Sequence, residues 1–109
     1  MSTRCNVVIK DDSGDELIFY RHSDGYPEGV KESLNTFLNM VKQGLIRDNV
    51  MQAAGHLILI GHEEYNGRLN STSMGWKVGA YEPTTQIHGD IEYLYTIDLD
   101  KKTITTKAV

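Results

Sequence analysis

The stretch RHSDGYPEG, residues 21–29, places Arg21, His22, Asp24 and Tyr26 within a few positions of one another, between a β-rich run and a helix start. A guanidinium fork can grip a phosphate with two parallel N–H bonds, and the free N–H groups of a new helix add a favourable dipole for an anion. The nearby carboxylates argue against a pure phosphate cradle, but they suit ribose hydroxyls, which are donors. The same residues also fit a plain strand-to-helix connector in which Ser23 or Asp24 caps the helix. A second group lies in HGDIE, where His88, Asp90 and Glu92 alternate. In a strand, that spacing sends all of them to one face, as a metal site or a His–carboxylate pair would need, and as an ordinary solvated face also shows. WKVGAY offers Trp76 and Tyr81 as stacking surfaces for a base, or as core, with Lys77 as a cation. Arg47, at the entry to a second helix, can serve a phosphate or simply be solvated.

Larger catalytic signatures are missing. The sequence holds no P-loop, no GxGxxG, no nucleophile elbow, no CxxC pair and no HExxH. GHEEYNGR at 61–68 has no second histidine at metal-ligand spacing, so it reads as a solvated helix end. The single cysteine, Cys5, sits in a β-rich run and reads as a buried structural thiol, and no intrachain disulfide can form. No cofactor or metal is expected from these residues.

The elements that must position these groups can be read from periodicity. CNVVIK (5–10) and ELIFYR (16–21) read as an antiparallel hairpin around the turn DDSGD. A helix is expected over 26–44, with Pro27 in its first turn, Val30, Leu34, Phe37, Leu38 and Val41 at helical spacing, and Gly44 as its stop. A second helix is expected over 46–67, capped by Asp48, with Val50, Ala53, Ala54, Leu57, Ile58 and Ile60 on a broad apolar face. Gly55 and Gly61 are costly inside a helix, which suggests close packing against a sheet or another helix. Residues 68–75 read as a polar loop, 76–81 as a strand, 82–89 as a turn, 90–99 as a longer strand and 103–109 as an edge strand. Strands at both ends with helices between them give an α+β domain, an antiparallel sheet of order β-β-α-α-β-β-β with both helices on one face. The other face then meets water or another subunit.

With 109 residues, one domain spanning 1–109 is expected. A net charge of −4 disfavours long nucleic acid, whose binding needs a basic face, but leaves room for a small anion held by a few cations. The N-terminal residues lack a signal-peptide pattern, and the longest apolar run, LILI at 57–60, is too short to cross a bilayer. A cytoplasmic protein with no membrane partner is the expectation.

STRCNVVIKD, FYRHSDGYPEG, QAAGHLILIG, WKVGAYEP and IHGDIEYLY together make the chain resemble, over nearly its full length, the first-described family of Thoeris anti-defence proteins of bacteriophages. The RHSDGYPEG and HGDIEYLY segments carry most of the likeness. The resemblance implies a sponge: a protein of the infected host's cytoplasm that sequesters, without cleaving, the cyclic ADP-ribose isomer made by a bacterial TIR-domain enzyme. It also implies a homo-oligomer, a dimer or a hexamer, with further sites for cyclic oligonucleotides in some members. The chemistry of the residues nominates Arg21, His22, Arg47 and Lys77 for phosphates, and Tyr26, Trp76 and Tyr81 as base or ribose neighbours. Asp24, Asp90 and Glu92 are nominated as hydroxyl acceptors, with His88 as a donor. Two readings compete: a small nucleotide hydrolase using His88, Asp90, Glu92 and His22, and a protein-binding inhibitor of a host factor that uses the tyrosine-rich strand.

Overall fold

The computed structural model describes all residues except 1–2, 66, 68–69 and 72–74. Among the described residues the elements are β1 (Cys5–Lys10), β2 (Glu16–Arg21), α1 (Pro27–Lys42), α2 (Val50–Glu64), β3 (Asn70–Ser71), β4 (Lys77–Val78), β5 (Glu82–Thr84), β6 (Tyr93–Asp98) and β7 (Thr103–Ala108). The fold is α+β, and both strands of the first hairpin fall where the sequence puts them.

Five strands form one sheet in the order β5-β2-β1-β6-β7. Hairpin pairing makes β1–β2 and β6–β7 antiparallel, and β5 adds antiparallel to β2. The β1–β6 pair at the centre is parallel, with Cys5 opposite Tyr93 and Ile9 opposite Ile97. The sheet is therefore mixed rather than wholly antiparallel. The chain leaves β2 through both helices before it returns, and a crossover that long permits a parallel partner where a tight turn does not.

The middle of the chain departs furthest from expectation. Residues 76–81 do not make one strand: only Lys77–Val78 pair, with Asn70–Ser71, in a separate two-stranded ribbon. Residues 82–84, read as a turn, are the edge strand β5. Pro83 fits there because an edge strand has a side that needs no ladder N–H.

Pro27 opens α1 at its first turn and Lys42 ends it, within the expected span. The second helix starts later than the sequence suggests. Asn49, not Asp48, is the cap: its side-chain oxygen accepts from the backbone N–H groups of Met51 at 3.0 Å and Gln52 at 3.2 Å. A third N–H, that of Val50, donates to Asp11 Oδ2 at 3.2 Å, so the first hairpin turn helps to close the helix end. Of the two α2 glycines, Gly61 is the close approach: a Cβ there would lie 2.8 Å from the Tyr81 ring. Gly55 faces open space, so packing does not explain it.

Both helices pack on one sheet face. Val30, Leu34, Phe37, Leu38 and Val41 of α1 and Val50, Ala53, Ala54 and Leu57 of α2 join Cys5, Val7, Ile9, Phe19, Tyr95, Ile97 and Leu99 in one core. Each large side chain buried this way contributes roughly 1.5–3 kcal/mol. Tyr95 is part of this core, so the β6 tyrosines do not together form an exposed interface. Ile58 and Leu59, by contrast, lie on the exposed side of α2.

Candidate functional site

The alternation of β2 divides the candidate residues between two places. Arg21 stands opposite Cys5 and faces the helices, whereas Tyr20, its neighbour, faces the other side of the sheet.

On the helix side, a groove of about 900 Å³ runs between α1 and α2, within the roughly 300–1,000 Å³ typical of small-molecule sites. Arg21, Asp24 and Tyr26 from the connector line it, beside Met40, Leu59 and Ile60. Arg21 is 1% exposed and held from several directions. Its Nε donates to Ser23 O at 2.8 Å and its Nη1 to Glu64 Oε1 at 3.0 Å, and Nη2 makes a further short bond to Glu64 Oε2. The guanidinium carbon sits 5.1 Å from the centroid of the Tyr81 ring, and the Tyr81 hydroxyl is hydrogen-bonded to Ser33 of α1. The fork nominated for phosphate is thus occupied by a carboxylate of the chain itself. Glu64 is not a merely solvated helix end.

The connector that presents Asp24 and Tyr26 is pinned. Gly25 N donates to Thr3 O at 3.0 Å, and the Tyr95 hydroxyl donates to Gly25 O at 2.7 Å. Asp24 takes a left-handed backbone (φ 56°), which Asp tolerates better than most residues. The cap of α1 is Tyr26, whose side chain makes no capping bond, rather than Ser23 or Asp24. The groove is acidic: Asp24, Glu28, Glu32, Glu63 and Glu64 line it, and among the described lining residues Arg21 is the permanent cation.

The opposite sheet face carries the second cluster. His88 stacks on Tyr20 with centroids 4.0 Å apart, and His22 meets the same ring edge-on at 4.6 Å. Tyr20 donates its hydroxyl to Asp90 Oδ2 at 2.9 Å, and Arg4 Nε lies 3.4 Å from the same oxygen. His22 Nε2 is 3.3 Å from Glu82 Oε2, and His88 Nε2 is 3.0 Å from Thr84 Oγ1. Asn6, fully buried beneath, donates to Phe19 O at 2.9 Å and accepts from the His88 backbone N–H at 2.8 Å. His88 and Asp90 lie in the turn before β6, not in a strand, and each is partnered by other residues. Glu92 is exposed just before β6, its backbone N–H bonded to Arg4 O at 2.8 Å.

The remaining candidates stand apart from both clusters. Trp76 is 67% exposed beside the small ribbon, where Lys77 Nζ donates to Ser71 Oγ at 2.8 Å. Arg47 is exposed in the connector between the helices. That connector leads to the α2 start that Asp11 closes, at the hairpin-turn end of β1, whereas Arg21 ends β2 opposite Cys5 at the other end of the pair. Sequence reasoning missed Glu64, Ser33, Tyr20 and Arg4. The alternation of Arg4, Asn6 and Val8 with the core residues of β1 was the available signal for Arg4, whereas Glu64 meets Arg21 through tertiary packing alone. Among the described residues, no group of three or more His, Cys, Asp or Glu side chains could hold a metal ion, and no helix is long and apolar enough to cross a membrane.

Burial holds several protons on this framework. It pushes the Cys5 thiol from 9.0 up to about 12, with Arg21 opposing, and the Tyr81 phenol from 10.0 up to about 12, again against Arg21. Tyr20 rises to about 12 through burial and its bond to Asp90, and burial raises Tyr95 as well. Each of these groups binds its proton more tightly folded than unfolded. Their contribution to stability is therefore complete below their ordinary values of 9.0 to 10.0 and is lost as pH climbs toward about 12. Denaturant midpoints measured across alkaline pH are expected to hold to about pH 9 and then fall steeply. A midpoint unchanged at pH 11 contradicts this account.

No protein-family model matches the chain, and neither curated proteins nor solved structures give a match.

Proposed function

We propose that the chain binds and sequesters a cyclic nucleotide messenger, a cyclic ADP-ribose isomer and in the same reading cyclic oligonucleotides, in the groove between α1 and α2, without cleaving it. The observation that carries this reading is the pairing of a fixed, dry guanidinium with a ring of hydroxyl acceptors in one open groove. Asp24, Glu28 and Glu32 accept from ribose hydroxyls, Tyr26 with Met40, Leu59 and Ile60 offers apolar surface to a base, and Arg21 provides the fork for a phosphate that takes the place of the Glu64 carboxylate. A connector already tied to Thr3 and Tyr95 binds with little ordering cost, which favours holding a ligand over remodelling around it. The competing hydrolase reading finds less support, because His88 and Asp90 are each engaged with separate partners.

Homo-oligomerisation, as a dimer or hexamer in the cytoplasm of an infected host cell, belongs to the same proposal. Met51 and Ile58 of α2, outside the groove, expose apolar surface that a second copy would cover. A binding-and-release experiment tests the function. Purified protein is mixed with a panel of cyclic nucleotides and cyclic ADP-ribose isomers, depletion is measured, and the protein is heat-denatured. Stoichiometric recovery of intact ligand, held with nanomolar affinity (about −12 kcal/mol), is the expected result. A cleaved product replaces the sponge with a hydrolase, and no depletion replaces it with a protein-binding inhibitor.

A further inference from the structure

The geometry points to the Arg21–Glu64 pair as an exchangeable latch: an oxyanion entering the groove takes the guanidinium fork from Glu64, which swings out to water. The inference rests on the groove being the ligand site. The two partners are held very differently. Arg21 cannot leave: its side chain is 1% exposed, its Nε is tied to Ser23 O at 2.8 Å, and its guanidinium carbon lies over the Tyr81 ring. Glu64 can leave. Its side chain is 26% exposed, and it is the last residue of α2, where the backbone passes into a turn at Tyr65. Carboxylate and phosphate present the same paired oxygens to a guanidinium. Glu64 therefore occupies the position that a phosphate oxygen pair would take.

The buried charge makes the exchange selective. A guanidinium this dry cannot be left unpaired, so Glu64 is released only as another oxyanion arrives. A neutral hydroxylated molecule has nothing with which to displace it. Glu63 and Glu32 also line the groove, so a ligand whose hydroxyls donate to those carboxylates is held more tightly than a bare phosphate. The latch therefore opens to a free oxyanion such as pyrophosphate and holds a phosphate carried on a polyhydroxylated body best.

The test uses inorganic pyrophosphate as probe, by calorimetric titration at fixed ionic strength. Glu64→Gln keeps an acceptor for Arg21 but removes the competing charge. It is expected to bind pyrophosphate at least tenfold more tightly than the unaltered protein, and R21K added to E64Q is expected to abolish that gain. Equal or weaker binding by folded E64Q overturns the latch. Should E64Q fail to fold, the unaltered protein still decides the matter: the Arg21 Nε–H resonance is expected to shift on adding pyrophosphate, and an unmoved resonance at millimolar probe overturns the proposal. If cyclic nucleotides bind but E64Q leaves pyrophosphate affinity unchanged, the latch alone falls. If E64Q gains pyrophosphate affinity while no cyclic nucleotide is depleted, the nucleotide reading falls and the latch stands.

Discussion

Glu64→Ala is expected to destabilise the fold by about 3–5 kcal/mol, because it leaves the guanidinium of Arg21 buried with nothing to face it. The magnitude comes from desolvation rather than from the attraction itself. Arg21 has 1% of its side chain exposed, and Ser23 O satisfies only one of its donors. The reverse change is milder in electrostatic terms. Arg21→Met removes the buried charge, fills most of the same volume and leaves Glu64 free to turn to solvent, so its cost is expected to stay well below that of Glu64→Ala. Urea denaturation of both variants checks the asymmetry. Equal losses would show that the pair acts through packing and not through charge.

Gly29→Ala is the other large effect. A Cβ at position 29 would sit 2.1 Å from the carbonyl oxygen of Asp24, and the obstacle is backbone rather than the end of a flexible side chain. The connector cannot yield easily, because the Tyr95 hydroxyl holds the next residue and Thr3 O accepts from that residue's N–H. Either the first turn of α1 or the Asp24 turn must move, at a cost of about 3 kcal/mol or more. Since that turn presents Asp24 and Tyr26 to the groove, any ligand affinity is expected to fall together with the thermal midpoint. Circular dichroism melting and a binding titration on the same sample follow both. A variant with unchanged melting temperature would mean that the connector is looser than its hydrogen bonds imply.

Much of the architecture was legible because it follows from local pattern. The β-rich runs at 5–10 and 16–21, with a turn between them, and the helical spacing from Val30 to Val41 fix their elements without tertiary help. What escaped depends on contacts distant in sequence. The parallel partner of β1 cannot be read from β1, and β5 is a strand only because β2 offers it an edge. Asn49 wins the cap from Asp48 through a one-residue difference in where the backbone turns. The candidate site divides in the same way. That Asp24 and Tyr26 would neighbour Arg21 follows from adjacency, but the removal of His22 to the opposite face follows from strand alternation. The alternation itself was readable at Tyr20-Arg21-His22. Its consequence, that one short stretch serves two separate surfaces, emerges only once the helices cover one side.

The parallel seam between β1 and β6 also bears on how the chain reaches its native state. The β1–β2 hairpin and the α1–α2 pair are local and can form early, but the central strand gains its second neighbour only when the β6–β7 hairpin, near the far end of the chain, docks beside it. Closing so long a loop carries an entropic barrier that is met before the pairing rewards it, which makes this docking the natural slow step. Until it happens, β1 presents a row of free N–H and C=O groups bordered by Val7 and Ile9, an edge on which another copy could pair out of place. Yield on refolding should therefore depend on concentration more than final stability does, with the β6–β7 hairpin acting as the chain's own protection against aggregation.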